Sequence, residues 1–237
     1  MPDRLSERIA ALDWDSLQQA LDEQGYAAIP ALLDTDQCRE IIGTYEEEAL
    51  FRSTIDMARY RFGAGEYKYY KAPLPDIVQQ LREGFYPDLA KTANRWRERL
   101  GQDAMYPAGL PDFLDRCHEQ GQLRPTPLIL KYEAGGYNCL HQDLYGEVFF
   151  PFQVVFALNQ RETDYTGGEF LLVEQRPRAQ SRGHVINLEQ GAGLIFPTNH
   201  RPVLGSRGYY KTTLRHGVST ITSGTRYSLG IIFHDAQ

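Results

Sequence analysis

The sequence predicts an α+β protein: a double-stranded β-helix (jelly roll) core with an N-terminal helical elaboration. From Thr126 onward, short β-rich runs are separated by Gly, Pro, Asn and Asp turns, and no helical run alternates with them. Before that point, apolar residues recur at helical spacing behind capping residues. With 15 Tyr and 11 Phe in 237 residues, the composition leans toward sheet. No internal repeat or low-complexity linker divides the chain. Residues 1–237 are therefore expected to form one domain, with 1–125 as mainly helical support and lid and 126–237 as the core.

Taken in order, DWDSLQQALDEQG predicts a short amphipathic helix that Gly25 terminates. YAAIPALL reads as a brief strand, and Asp34 is placed to cap a helix through CREIIGTYEEEALF. Two separate helices are expected in PDIVQQLREGF and PDLAKTANRWRERLG, with another in FLDRCHEQG. About eight strands follow, among them PLILKY, EVFFPFQVVFAL, GEFLLV, GHVINL, AGLIFP, YYKTTLRHG and RYSLGIIFH.

A hydrophobic content of 42% and a charged content of 24% suit a chain able to bury a large core. The net charge of −6 argues against coating nucleic acid or an anionic membrane by bulk charge, but leaves room for a local basic site. Cys38, Cys117 and Cys139 are odd in number and far apart, so no disulfide framework is expected. No segment reaches the roughly 20 apolar residues a membrane helix needs, and the start lacks a signal-peptide core. A soluble, cytoplasmic protein is the expectation.

The chemistry begins at NCLHQDLYGE. Residues two apart on an extended segment point to one side, so His141 and Asp143 can aim at a common point. Two His and one carboxylate on one face of an ion form the arrangement of non-haem Fe(II) oxygenases. The third ligand is His216, which shares a face with Tyr210, Thr212 and Leu214, or else His200 in the turn-like FPTNHRP. His216 is favoured because of the run that follows it. In RYSLGIIFH, alternation puts Arg226, Ser228, Gly230 and Ile232 on one face and Tyr227, Leu229, Ile231 and Phe233 on the other. An Arg inside a small barrel needs an anion, since an unpaired buried charge is costly. That face suits a small carboxylate, with Arg226 as the clamp. Cys139 is expected to be a buried, inert thiol, and Asn138 and Gln153 are left unassigned.

HQD, a later RHGV, and Arg226 ten residues past His216 followed by Ser228 together resemble the Fe(II)/2-oxoglutarate-dependent dioxygenases. TGGEF and the N-terminal GYAAIPALLDTDQC fit the same pattern. LILKYEAGGYNCLHQD resembles the AlkB-like branch, where a Tyr about nine residues before the first His contacts 2-oxoglutarate; Tyr132 matches it. The chain departs from that branch at Leu130, Ser228 and Ile232. The ending LRHGVS…LGIIFHDA is similar to a bacterial family predicted to demethylate damaged nucleic acid.

The resemblance implies Fe(II) held by His141, Asp143 and His216, with 2-oxoglutarate and O2 as co-substrates. It implies a 2-oxoglutarate site formed by Arg226, Ser228 and Tyr132. The implied reaction splits 2-oxoglutarate to succinate and CO2 while a substrate C–H is hydroxylated. If that carbon is an N-methyl, formaldehyde and free amine result.

For the substrate, FRSTIDMARYRFGAGEYKYYK holds five cations against two acids, with aromatics interleaved. Arg59, Arg61, Tyr67 and Tyr69 there, and Arg176 and Arg178 in EQRPRAQSR, are candidates to hold DNA or RNA around a flipped base. Gly63 and Gly65 suggest a mobile lid. Two alternatives stand beside a nucleic-acid demethylase: a hydroxylase of a small metabolite or amino acid, and a non-enzymatic jelly-roll binding module.

Overall fold

The structure, a computed structural model, describes residues 4–144 and 146–237. It is a mixed α/β body in which strands dominate. Helices α1 (Arg4–Ala10), α2 (Trp14–Gln24) and α3 (Thr35–Gly43) open the chain, with β1 (Ala27–Ile29) before α3. Gly25 closes α2 in the left-handed region, and Asp34 forms a capping box with Gln37 at α3. Both ends are those the sequence predicts.

The expected mobile lid at 51–71 is instead sheet: β2 (Phe51–Asp56), β3 (Gly63–Ala64) and β4 (Glu66–Tyr70). Its glycines serve close approach rather than mobility. A Cβ on Gly63 would lie 2.2 Å from the Tyr137 carbonyl oxygen, and one on Gly65 2.7 Å from the Tyr132 ring. The two helices expected around Pro87 are one, α4 (Asp76–Arg99). A mid-helix proline costs about 3 kcal/mol. Leu81, Phe85, Leu89, Ala93 and Trp96 bury one continuous stripe across it, at roughly 1.5–3 kcal/mol per large side chain, so packing wins. Helix α5 (Leu110–Glu119) completes the helical part.

The remaining strands are β5 (Leu128–Glu133), β6 (Tyr137–His141), β7 (Phe152–Ala157), β8 (Tyr165–Gly167), β9 (Phe170–Gln175), β10 (Arg182–Ile186) and β11 (Gly193–Pro197), then β12 (His200–Gly205), β13 (Gly208–Val218) and β14 (Ile221–Ile232). One sheet has the order β1-β11-β7-β14-β5-β4-β2, with β8 beside β14; the other has β10-β9-β13-β6-β3, with β12 beside β13. The ladders between these strands are antiparallel. The segment expected to be a turn at His200 is strand β12, whose only ladder among the described residues is with β13, so Pro202 needs no second partner.

Helix α4 covers the outer face of the larger sheet, where Trp96 meets Phe152 and Phe85 meets Phe156. Its Arg82 donates to the Ile232 and Phe233 carbonyls and pairs with Asp235 at 2.7 Å. The inner faces of the two sheets enclose a cavity of about 400 Å³. Among the described residues, no helix is long and apolar enough to cross a membrane.

Candidate metal centre

Strand β6 ends at His141, and the chain continues to Asp143 without turning away. Strand β13 runs antiparallel beside β6 and puts His216 directly opposite His141. His141 Nε2 is 3.5 Å from Asp143 Oδ1, and His216 Nε2 is 3.2 Å from Asp143 Oδ2. All three donor atoms lie within 4.8 Å of one another. Donors that each bond one ion at about 2.1 Å would be about 3 Å apart, so little adjustment is needed. His200 is not in this cluster. It lines a second cavity with Trp96 and Lys211.

The surroundings suit these groups to hold a metal. His141 Nδ1 lies 2.7 Å from the Cys139 carbonyl, which makes Nδ1 the donor and turns the Nε2 lone pair inward. Burial, and then the charge of His216, push the His141 imidazole below its ordinary value, favouring the neutral form that binds metal. Burial alone would raise the Asp143 carboxyl. The charge and hydrogen bond of His216, then His141 and the Gln153 amide, hold it well below the usual carboxylate range. His216 Nδ1 is buried without a hydrogen-bond partner among the described residues. Gln142, between the first two ligands, donates to the Asn199 and Leu214 carbonyls at 2.9 Å each, tying the motif to the strand that carries His216.

Close approach of the two strands depends on Gly217, where a Cβ would lie 2.6 Å from the Asn138 carbonyl oxygen. Gly217→Ala is expected to destabilise the fold by about 1–3 kcal/mol and to lower Co(II) affinity at least tenfold, read by melting and titration. Wild-type affinity would show that β6 can yield without moving His141.

The other wall is built by β14 and β5, where Arg226 faces Tyr132 across the ladder. Arg226 is 3% exposed, and among the described residues no carboxylate lies within salt-bridge distance. Its Nη1 donates to Ser228 Oγ at 3.2 Å, while its Nε is buried without a partner. Asn138 donates to the Tyr132 hydroxyl at 3.3 Å. Each hydroxyl thus accepts one bond from the protein and keeps its own proton to donate. Burial pushes the Tyr132 phenol up to about 12, so it stays a neutral donor. Arg226, Ser228, Tyr132, His141, Asp143 and His216 all line the 400 Å³ cavity. Cationic and hydroxyl donors on the β14–β5 wall, and three groups that could hold a metal on and beside the β6–β13 pair, fit a ligand that is an anion at one end and a chelator at the other.

Of the residues assigned to substrate, Arg61, Tyr67 and Tyr69 line this cavity. Arg59 is exposed on the adjacent turn, its guanidinium 5.9 Å from the Tyr60 ring. Arg176 and Arg178 do not line it: they are exposed on the β9–β10 turn, where Arg176 pairs with Glu174 at 2.8 Å. Cys139 is exposed rather than buried, because β6 is flanked on one side only by the two-residue β3. Asn138 and Gln153 do reach the cavity. The signal for Gln153 was its place as the one amide in the apolar run FFPFQVVFAL.

A family model described as "Oxygenase, catalysing oxidative methylation of damaged DNA", named Oxygenase-NA, matches residues 65–236. An uncharacterised protein of Mycobacterium tuberculosis, Rv2227, is 54% identical over 167 residues, which are 70% of this chain and 72% of the relative. Among solved structures, a Trichoplax adhaerens prolyl hydroxylase in complex with a hypoxia-inducible-factor peptide aligns with a TM-score of 0.56 at 16% identity, covering 98% of this chain and 92% of that one. A Pseudomonas putida prolyl-4-hydroxylase aligns with 0.55 at 14%, covering 94% and 100%. A 2-oxoglutarate–Fe(II) oxygenase family protein from Burkholderia pseudomallei aligns with 0.53 at 14%, covering 95% and 93%. At these identities the structures speak for the fold alone. The family match spans most of the chain and takes in the cavity-lining residues from Tyr67 to Ile232, including His141, Asp143 and His216, and on it the protein belongs to the Oxygenase-NA family of oxygenases.

Proposed function

We propose that the protein is an Fe(II)- and 2-oxoglutarate-dependent dioxygenase on a double-stranded β-helix, acting on an N-methylated base in DNA or RNA. The observation that carries this reading is the pairing, in one cavity, of three convergent ligands with a buried guanidinium that has no carboxylate partner among the described residues. His141, Asp143 and His216 would hold the iron. Arg226, Ser228 and Tyr132 would grip the distal carboxylate of 2-oxoglutarate. When bound, iron and 2-oxoglutarate supply the oxidation: O2 is consumed, succinate and CO2 are released, and an N-methyl so hydroxylated leaves as formaldehyde.

The chain's own part is to bind, orient and keep water out. Phe170 and Phe196 pack against the His216 ring and close the cavity beside it. Half-buried Tyr67 and Tyr69 and exposed Arg61 line the cavity. Tyr60 and Phe62 stack on each other nearby, with 49% and 48% of their surfaces exposed. Exposed aromatics beside the exposed Arg59 and Arg61 suit stacked bases and phosphates, and with the family description they support a nucleic-acid substrate.

The test is mass spectrometry of N-methylated oligonucleotides incubated with Fe(II) and 2-oxoglutarate, following succinate in parallel, with His141→Ala as control. Loss of methyl mass coupled to succinate, absent in the variant, is expected. Succinate that no oligonucleotide stimulates would transfer the assignment to a small-molecule substrate. Arg61→Ala is expected to weaken oligonucleotide binding whatever the sequence, and to lower the slope of log affinity against log salt by about 0.7–0.9. An unchanged slope would remove Arg61 from the phosphate path.

A further inference from the structure

We propose that Gln153 is a positioning residue that locks the orientation of the Asp143 carboxylate and so limits how that group can engage a metal. This rests on reading the cluster as a metal centre. Gln153 lies on β7, where it stands opposite Phe196 of β11 on one side and Ile232 of β14 on the other. It is thus on a central strand, with little freedom to shift. The side chain is 5% exposed in a strand that is otherwise apolar and buried along its length. Burying a primary amide among Phe and Val is unfavourable unless its donors are used. Here Nε2 donates to Asp143 Oδ2 at 2.8 Å.

The consequence is mechanical. Asp143 follows the end of β6 and is not itself in a strand. Its carboxylate can turn about the Cβ–Cγ bond unless its contacts hold it. His216 Nε2 also faces Oδ2, but a histidine that ligates a metal through Nε2 gives up that hydrogen bond. Gln153, on a central strand, keeps its hydrogen bond to that oxygen. Its amide makes rotation toward two-oxygen attachment cost a buried hydrogen bond. A carboxylate held to one oxygen leaves coordination positions open, which a site that must also receive a chelating keto acid and O2 requires.

The experiment is Co(II) titration of the 237-residue chain, read by calorimetry and by the visible absorption of bound Co(II), which reports coordination geometry. Gln153→Met keeps size and burial but has no donor. Its Co(II) affinity is expected to fall ten- to a hundredfold, with an altered absorption spectrum and a metal-free melting temperature near that of the wild type. Wild-type affinity with an unaltered spectrum would overturn the proposal and leave Gln153 a packing residue. Should that variant not fold, Gln153→Asn, whose amide stops one methylene short, carries the same expectation and the same refutation. A wild-type protein that binds no Co(II) would instead remove the metal-centre reading beneath it.

Discussion

Replacing Arg226 with Met is expected to weaken 2-oxoglutarate binding by about thirty- to several-thousandfold while raising the melting temperature of the ligand-free protein. The first effect follows from truncating one partner of a buried, hydrogen-bonded charge pair, which costs about 2–5 kcal/mol. The second has the opposite sign because, without ligand, the guanidinium is buried with no carboxylate among the described residues to repay its desolvation. The rings of Tyr132 and Tyr165, 5.7 and 6.0 Å from the guanidinium carbon, stand at the outer limit of a useful cation–π contact and offset only part of that cost. Met fills much of the same volume without the charge. A gain of about 1 kcal/mol would raise melting by roughly 2–4 °C in a chain of this size. Titration of 2-oxoglutarate into Mn(II)-loaded protein, with calorimetric melting, checks both signs. Unchanged binding would place the anion elsewhere. A lowered melting temperature would mean that the guanidinium is well satisfied without ligand.

Asp143→Asn is expected to lower divalent-metal affinity by more than the ten- to hundredfold typical of losing an outer contact. It removes the one anionic donor of the triad and leaves two imidazoles. The shape is retained, and an Asn carbonyl can still accept from Gln153, so the fold should persist. Succinate formation should disappear with the metal. Titration of Fe(II) or Co(II) into folded variant and wild type makes the comparison. A variant that holds metal as tightly as the wild type would show that the donors lie elsewhere.

Much of this site was legible because strands impose a period of two. Alternation in YYKTTLRHG and RYSLGIIFH put His216 and Arg226 on inward faces, and both line the cavity. HQD needed only an extended backbone to aim two ligands together. What the sequence hid depends on partners far along the chain. Gly63 and Gly65 looked like signs of mobility, yet their lack of Cβ is what lets β3 and β4 lie against Tyr137 and Tyr132. Pro87 looked like a helix boundary, until a stripe of buried residues on either side outweighed its cost. Arg176 looked like a surface cation near the mouth, but Glu174 on its own hairpin claims it. Gln153 and Asp143 are ten residues apart, and nothing local joins an amide in one strand to a carboxylate beyond the end of another.

The central claim is that one cavity takes the metal and 2-oxoglutarate together. Its most direct test is calorimetric titration of 2-oxoglutarate, with oxygen excluded, into the protein with and without Fe(II). One 2-oxoglutarate per chain, bound tightly only when metal is present and released by Arg226→Met, is the expected result. Binding of equal strength without metal, or none with metal bound, would contradict it.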